Sequence, residues 1–496
     1  MRMRALAGAM AVTCAAGCAL GCAVGPGYHR PDLQMPANWR PPSAIDDSVR
    51  PFFDSLAHSR DSLGRTPRSE LSDTAANLAW FGLFQDGVLQ QLVRTAVQEN
   101  RDVRVAVATI DEFRADYGVA RGALFPRLDL SAQGAKQKIV FAGAQSFTFE
   151  AYNVVGNVTW ELDFWGRLRR SAQAARADLL TQKENARAVV LTLVSDVASA
   201  YLQLRQLDLN LEITRRTLAS RQQTLRLASF RYSQGLISEL DVRQFEAQVA
   251  DPAARVADFQ RQVAQTENQL SVLVGHHPGP IPRGRSIAEV LSAVSVPAGL
   301  PAMLLERRPD VRAAEAELTA ATARIGAAQG ARLPQFTITG QYGSQSSRVS
   351  RLFESNTDIY QINAAVSVPI FTGGQLSNEV RAASARAKQA RYRYEQTVLV
   401  ALQEVENFLA AVRTDRDQVV AQQTQVGALQ RALHLATQRY EEGISNYLDV
   451  LDAERSLFTA ELSLTQAQLQ QLVDVVQLYK ALGGGWPATT TAPPPR

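Results

Sequence analysis

Hydrophobic and polar positions alternate in four segments of the chain, and each segment has the length of a strand. In the first pair, apolar side chains occupy every second position around Leu128 and again from Tyr152 to Phe164. In the second pair, they do so from Phe336 to Tyr342 and from Tyr360 to Ile370. Loops rich in Gly, Ser and Gln separate the two members of each pair. The pattern predicts two β-hairpins with two-sided strands of about ten or more residues.

After each hairpin the period of the pattern changes to three and four residues. Residues 167–234 contain neither Gly nor Pro, and apolar side chains recur at helical spacing from Val190 to Leu211. A helix over this range would be roughly 100 Å long at 1.5 Å per residue. Since no globular core is that long, the helix is expected to pack against other long helices as a coiled coil. A similar stretch follows the second hairpin, because no proline occurs between Ile370 and Trp486.

Each long helix is predicted to reverse at a glycine and to return as a second helix. The reversals fall at Gly235 and Gly443, and the return helices run over 239–275 and to about Leu482. Pro252 lies inside the first return helix and is expected to kink it, because proline removes a backbone hydrogen bond. The second return helix has no equivalent proline.

The chain contains itself twice, at a constant offset of 208 residues. The motif Arg231-Tyr232-x-x-Gly235 returns as Arg439-Tyr440-x-x-Gly443, and many other positions recur without a net gap. A period this long is not that of a solenoid repeat. We therefore predict two structural repeats, 80–275 and 301–483, joined by a linker over 276–300.

The two ends of the chain have a different composition from the repeats. Residues 1–21 combine early arginines with a short apolar run, which is typical of a signal peptide, and 22–79 is interpreted as an extended arm. Residues 484–496 are interpreted as a disordered tail. The sequence Ala19-Leu20-Gly21-Cys22 indicates a lipoprotein signal with acylation of Cys22, and Cys18 is a competing site. All three cysteines fall in this region, so no disulfide is expected in the mature chain.

Composition argues against several classes of function. The net charge of +4 is small, and no basic stripe indicates nucleic acid. His276-His277-Pro278 follows a predicted helix end and is interpreted as a cap region, not as a metal site. No nucleophile motif or phosphate-binding loop is present, so neither an enzyme nor a cofactor is expected. No segment outside the signal has 18 or more apolar residues, which predicts the absence of a transmembrane helix.

The four strands fit a membrane barrel, whose strands need about 9–11 residues with one apolar face. A half-buried sheet packed on helices remains the alternative from the strands alone. Four strands cannot close a barrel, since the smallest barrels have about eight. Copies are therefore expected to associate, giving eight strands from two chains or twelve from three.

Several motifs together resemble the outer-membrane factors of tripartite efflux pumps, which are TolC-like and OprM-like channels and include the NodT-type lipoproteins. They are the segment Cys22–Pro31 with the Trp39 that follows, the two Arg-Tyr-x-x-Gly turns, the run 448–452 and the closing Leu482–Trp486. The resemblance implies an α+β membrane protein, a homotrimer whose 12-stranded β-barrel takes four strands from each protomer and sits in outer-membrane lipids. A periplasmic α-helical coiled-coil barrel would continue it. The implied partners are a periplasmic adaptor and an inner-membrane proton-driven transporter. Gly27, Gly87 and Pro252 depart from the family pattern.

The resemblance also implies roles for residues near the two turns. By motif position, Asp241 and Tyr440 match residues that tie the inner helical hairpin to the outer one. Leu448, Asp449 and Asp452 match constriction rings, where threefold symmetry would bring like charges together and favour cations. The alternative for the two aspartates is an ordinary solvated helix face. The turns themselves are predicted to form the adaptor-docking tip, which comprises Arg231, Gly235, Arg439 and Gly443.

The sequence therefore predicts a passive outer-membrane duct that exports small toxic compounds and is gated at its periplasmic tip. A duct for type I protein secretion or for metal ions is a second interpretation within the same fold. Only Met35 and Met303 lie outside the signal, which argues against a methionine relay for soft metals in the channel. A periplasmic coiled-coil adaptor without a pore is the third, although an adaptor would not need four long alternating strands.

Overall fold

The computed structural model describes residues 23–31, 84–140, 146–293, 307–442 and 444–484. The predicted signal, Cys22, most of the arm, Gly443 and nearly all of the predicted tail lie outside these residues. The elements in chain order are α1 (Gly87–Glu99), α2 (Arg101–Gly122), β1 (Arg127–Val140), β2 (Ser146–Leu162), α3 (Arg167–Ser233), α4 (Glu239–Val274), α5 (Ile287–Ala293), α6 (Pro309–Gly330), β3 (Gln335–Ser346), β4 (Asp358–Ser367), α7 (Gln375–Glu441) and α8 (Tyr447–Ala481).

The elements of the two halves have matching bounds. The helices α3 and α7 each contain 67 residues, and both ends of α7 follow those of α3 by the offset of the sequence repeat. The helices α2 and α6 each contain 22 residues and are related by the same shift. The strands and long helices expected from the sequence are thus present, and they occur in the same order in both halves.

The chain divides into two compact units, and each unit takes segments from both halves. The first unit comprises Met1–Leu33, Val107–Asn185 and Arg312–Thr397. The second comprises Gln34–Ala106, Ala186–Val311 and Val398–Arg496. Neither unit corresponds to one predicted repeat, because the long helices pass from one unit into the other.

The first unit contains one antiparallel sheet with the strand order β1-β2-β3-β4. The pairing of β2 with β3 joins the two halves, and it places Trp160 opposite Ile338. Among the described residues, β1 and β4 each pair on one side only, so they are the edges of this sheet.

Over most of the sheet, the register brings the apolar side chains to one face, although Phe147 and Phe149 at the far end of the first hairpin lie on the other. Val158 lies opposite Leu128 on one side and Gly340 on the other, and Gly340 lies opposite Ile362. Because alternate residues of a strand point to the same side, the apolar positions form a face continuous across four strands. Its members are Leu128, Leu130, Val154, Val158, Trp160, Phe336, Ile338, Tyr342, Tyr360, Ile362 and Val366. The opposite face is mainly polar, with Asn157, Thr339 and Gln361 among its residues.

A short N-terminal segment, 23–31, packs on the first unit where β2 gives way to α3. The Val24 N–H donates a hydrogen bond of 2.9 Å to the Trp165 carbonyl. Gly25 adopts φ +107°, and a Cβ at this position would overlap the backbone of Gly326. The segment thus crosses α6 at a distance that only glycine permits.

The core of the second unit is built from helices of both halves. Leu89 of α1, Tyr201 of α3, Leu270 of α4 and Leu472 of α8 are all fully buried. The first three lie in the first half of the chain and Leu472 lies in the second, so this core needs both halves.

A buried polar node ties three segments of this unit together. Asp86 caps α1 by accepting a hydrogen bond of 2.8 Å from the Val88 N–H. It also accepts one of 3.0 Å from the Tyr201 hydroxyl and one of 2.8 Å from the Arg285 N–H. Because Asp86 is almost completely buried, these donors compensate for the water that its carboxylate loses.

One described helix is long and apolar enough to cross a membrane by length and composition, whereas the sequence predicts none. It is α3, through a window with a mean hydropathy of 1.2, of which 56% is buried inside the chain. The fully buried residues Val197, Tyr201 and Leu204 show that α3 packs in the core of the second unit. A core helix satisfies the same length and composition criteria as a membrane span.

Pro252 lies inside α4, and the helix continues through it from Glu239 to Val274. The sequence predicts a kink at this position; the helix is unbroken through it, and the kink stays a prediction. The side chain of Pro252 is buried, so the proline is part of the packing of this helix.

Candidate functional site

The first long hairpin reverses through a glycine in a left-handed conformation. Gly235 has φ +69°, a region that glycine enters without steric penalty. The Leu236 N–H donates a hydrogen bond of 3.0 Å back to the Arg231 carbonyl, which closes the end of α3. This is a usual way to satisfy the last carbonyls of a helix before the chain turns.

The second long hairpin has the same backbone bond at its turn. The Ile444 N–H donates to the Arg439 carbonyl at 2.9 Å, and these two residues are the repeat equivalents of Leu236 and Arg231. Gly443 itself lies outside the described residues. The bond indicates that the repeated Arg-Tyr-x-x-Gly motif ends both long helices in the same way.

A contact between the two hairpins is made by Arg231 and Tyr440. The guanidinium Nη1 of Arg231 donates a hydrogen bond to the Tyr440 hydroxyl. The same guanidinium lies over the tyrosine ring, 5.4 Å from its centroid, a geometry in which the ring attracts the cation. Since Arg231 ends α3 and Tyr440 ends α7, this pair joins the two turns of the chain.

Asp241 has a different partner from the one predicted. Its carboxylate accepts hydrogen bonds from the Ser238 N–H at 2.9 Å and the Ser238 hydroxyl at 2.8 Å, in a capping box that begins α4. Within the single chain, Asp241 therefore binds the start of its own helix and Tyr440 binds Arg231; the predicted role of Asp241 and Tyr440 in tying the inner hairpin to the outer one stays a prediction. Both side chains nevertheless line one pocket.

An aromatic cluster extends this contact across three helices. The Tyr447 ring of α8 lies 5.2 Å from the Tyr440 ring in an edge-to-face arrangement. It also lies 4.5 Å from the Phe245 ring of α4. Both distances are within the range of stabilising aromatic pairs. Burial raises the pKa of Tyr447 above its ordinary value.

A cavity of about 330 Å³ adjoins the cluster. Leucine and isoleucine side chains line it together with the aromatic rings and two opposite charges. Its walls include Leu227, Arg231, Ile237, Asp241, Phe245, Tyr440, Tyr447, Leu448 and Leu451. The helices at the turns therefore leave a cleft that is partly open to solvent.

The residues predicted to form constriction rings lie at the start of α8. Leu448 and Asp449 are exposed in the single chain, and Asp449 is in the first turn of the helix. Asp452 is also exposed and pairs with Arg455 at 2.8 Å. The spacing of Asp449 and Asp452 places them on one side of α8.

The turns also expose large apolar side chains. Leu236 is 72% exposed and Ile444 is 63% exposed, at equivalent positions of the two turns. Phe230 and Leu240 are exposed beside them. Exposed apolar groups clustered in this way are typical of a surface that meets another protein. In the part of the chain that the structure describes, no group of three or more His, Cys, Asp or Glu side chains could hold a metal ion.

The model of the outer membrane efflux protein family matches this chain twice, over residues 92–276 and 300–484. The chain belongs to this family. The second match begins and ends at the repeat offset from the first, in agreement with the duplication seen in the sequence and in the helix bounds. The family resemblance predicted from the sequence is confirmed.

Relatives and solved structures extend over nearly the whole of this outer membrane efflux protein. It is 35% identical to the toluene efflux pump outer membrane protein TtgF of Pseudomonas putida, over 94% of this chain and 95% of the relative. It is 32% identical to the cation efflux system protein CusC of Escherichia coli, over 86% and 92%. The open state of the MtrE outer membrane channel of Neisseria gonorrhoeae is similar with a TM-score of 0.79 and 30% identity, over 94% and 98%. The protein is an outer-membrane component of an efflux pump.

The sequence of this outer membrane efflux protein did not predict a role for Phe245 or Tyr447. Each is one apolar position among many in a helical pattern, and the pattern does not show which faces of α4 and α8 meet. Arg231 was predicted as part of the docking tip, but its bond to Tyr440 joins residues separated by 209 positions. The repeated Arg-Tyr-x-x-Gly motif was the one feature of the sequence that could have indicated a contact between the two turns.

Proposed function

We propose that three copies of the chain close a 12-stranded barrel in the outer membrane and form a passive duct for small toxic compounds. The observation that carries this proposal is the four-stranded sheet, which has one continuous apolar face and two edge strands. An edge strand left unpaired in lipid costs several kcal/mol for each unsatisfied backbone group. Association of copies through β1 and β4 removes these edges.

The number of copies follows from the space that a duct requires. Two copies would give eight strands, and the interior of an eight-stranded barrel is just wide enough for side chains to fill. Three copies give twelve strands and leave a lumen. The polar face of the sheet, with Asn157, Thr339 and Gln361, would line that lumen.

The contacts of Ala23 support a lipid anchor at the membrane surface. Ala23 lies against Gly166, between the end of β2 and the start of α3. The ends of barrel strands mark the membrane surface, and the segment from Val24 onward is bound to the protein. These contacts favour Cys22, the residue just before Ala23, as the acylated residue.

Mass spectrometry of the purified protein tests both the trimer and the anchor. In mild detergent, the native mass should be that of three chains, and a monomer or dimer would exclude the barrel of twelve strands. Under denaturing conditions, each chain should begin at Cys22 and carry acyl groups. Cys22→Ser should remove them, with Cys18→Ser as the matched control. Acyl groups that persist in Cys22→Ser and disappear in Cys18→Ser would move the anchor to Cys18.

The two turns are the surface that we propose for a periplasmic adaptor, which connects the duct to an inner-membrane proton-driven transporter. Support comes from the exposed apolar residues Leu236 and Ile444 and from the repeated turns with Arg231, Gly235, Arg439 and Gly443. The relatives' names describe pump systems, which contain further components.

Charged residues at both turns should uncouple the duct from its pump. The double variant Leu236→Asp/Ile444→Asp is expected to form normal trimers and pores, while cells that carry it become as sensitive to toluene as cells without the protein. Charges oppose the burial of this surface by a partner. Growth is measured on toluene and on metal salts. Unchanged growth on both toluene and metal salts would contradict the docking assignment, whereas sensitivity to metal salts alone would favour cation efflux as the function.

The gate is proposed to lie at the same two turns. The Arg231–Tyr440 pair and the aromatic cluster hold the two hairpins together, and Asp241 supports α4 through its capping box. Leu448, Asp449 and Asp452 would surround the threefold axis as constriction rings. Arg455 offsets part of the charge of Asp452, so Asp449 would contribute most to cation preference.

A further inference from the structure

Pro252 leaves one backbone carbonyl of α4 without its helical donor. In an α-helix each N–H donates to the carbonyl four residues earlier, and proline has no N–H. The carbonyl affected by Pro252 is that of Gln248, in the first third of a helix of 36 residues. A buried carbonyl without a partner costs free energy, so its replacement partner is informative.

Arg221 of α3 supplies that partner. Its Nη1 donates a hydrogen bond of 2.8 Å to the Gln248 carbonyl. The Arg221 side chain is only 3% exposed and lies 3.7 Å from the carboxylate of Asp251, the residue before the proline. An arginine is rarely buried to this extent unless it is paired. Here Nη1 replaces the N–H that Pro252 lacks, while the buried Nε has no hydrogen-bond partner among the described residues.

The same guanidinium also reaches α8. It lies 5.7 Å from the centroid of the buried Phe458 ring, and the guanidinium of Arg255 on α4 lies at the same distance from that ring. One turn earlier on α8, burial raises the pKa of Glu454 while the charge of Arg221 opposes this shift. Arg221 thus contacts α4 through a backbone carbonyl and α8 through an aromatic ring.

The pairing of a buried arginine with a proline of the return helix has no equivalent in the second half of the chain. The positions equivalent to Arg221 and Pro252 in the second half are Leu429 and Ala460. We use the name proline clamp for the set of Arg221, Gln248, Pro252 and Phe458. Arg221 precedes Arg231 by ten positions, which is about 15 Å along a helix.

We propose that the proline clamp is a positioning element for the gate. It fixes α3, α4 and α8 to one another and confines movement to the segments between Arg221 and the turn. Arg221 does not touch Tyr440; it acts by holding the helix that carries Arg231. This inference rests on the proposed gate. It adds that the moving segment of α3 begins at Arg221.

A double-mutant cycle of Arg221→Met and Pro252→Ala tests the clamp. Alanine at 252 restores the N–H, so the Gln248 carbonyl no longer needs Arg221. Arg221→Met should therefore lower the thermal midpoint of the trimer clearly in the parent and much less in Pro252→Ala. An equal loss in both backgrounds would overturn the clamp. If Arg221→Met yields no trimer, Arg221→Lys is measured instead, since lysine keeps one donor but loses the planar contact with Phe458.

Planar bilayer recording tests the positioning role separately. Arg221→Met should raise the open probability about tenfold, which requires only about 1.4 kcal/mol shared among three chains, and should leave the conductance of the fully open pore unchanged. In a channel already opened by Arg231→Ala/Tyr440→Phe, it should add nothing. A folded trimer with the parent's open probability would overturn the inference. A parent protein that forms no pore would instead refute the proposed function.

Discussion

Replacing Ile362 by arginine is expected to prevent the protein from accumulating in the outer membrane. Ile362 of β4 lies on the apolar face and is 78% exposed in the single chain. In a barrel this side chain would face lipid, where an arginine near the midplane costs about 2–4 kcal/mol. Each trimer would bear this cost three times. The amount of trimer in the outer-membrane fraction should therefore fall by more than about tenfold, since tenfold corresponds to about 1.4 kcal/mol.

The neighbouring residue provides a matched control. Asn363 is the next residue of the same strand and points to the opposite, polar face. Asn363→Arg adds the same side chain at nearly the same depth, but it would enter a water-filled lumen. Its trimer should appear at close to the parental level. Equal losses for both variants, or no loss for either, would show that the apolar face does not meet lipid.

Breaking the Arg231–Tyr440 pair is expected to open the channel. The variant Arg231→Ala/Tyr440→Phe removes the hydrogen bond and the contact between cation and ring. For a partly exposed pair this costs about 1 kcal/mol per chain. Three chains then shift the balance between closed and open states by about 3 kcal/mol, or about a hundredfold. Single-channel recording should show a much higher open probability than in the parent.

Two further variants separate this effect from general damage. Arg243→Ala removes an arginine near the same turn whose ion pairs, with Glu239 and Glu246, lie within its own helix; it should behave like the parent. Asp449→Asn/Asp452→Asn should lower cation preference without changing the open probability. If the Arg231/Tyr440 variant has the open probability of the parent, the contact between these residues does not keep the channel closed. If the aspartate variant keeps its ion preference, Asp449 and Asp452 are an ordinary solvated helix face.

The elements that repeat along the chain could be predicted from the sequence. Alternation identified the four strands, and the length without Gly or Pro identified α3 and α7. Duplication of the Arg-Tyr-x-x-Gly motif placed the two turns correctly. These features depend on local periodicity and on turn chemistry, which a single sequence displays directly.

The partners of side chains between helices could not be predicted in the same way. Asp241 caps its own helix, because a capping serine lies three residues before it and competes with the distant Tyr440 for its carboxylate. Pro252 lies within an unbroken α4, and Arg221 of a different helix binds the carbonyl that the proline leaves without its helical donor. The sequence contains each of these residues, but it does not show which helix faces meet across long separations.

The pairing of β2 with β3 has a consequence for how the protein is made. Neither half of the chain carries a complete sheet, and the core of the second unit likewise needs helices from both. During export, the first hairpin therefore has no β3 to pair with until the later part of the chain arrives. The helices α3, α4, α5 and α6 all lie between β2 and β3 in the chain. Its apolar face would be exposed in water throughout this interval, which is a hazard for aggregation. Periplasmic chaperones that bind extended apolar strands should be more important for this protein than for a barrel whose strands emerge one after another.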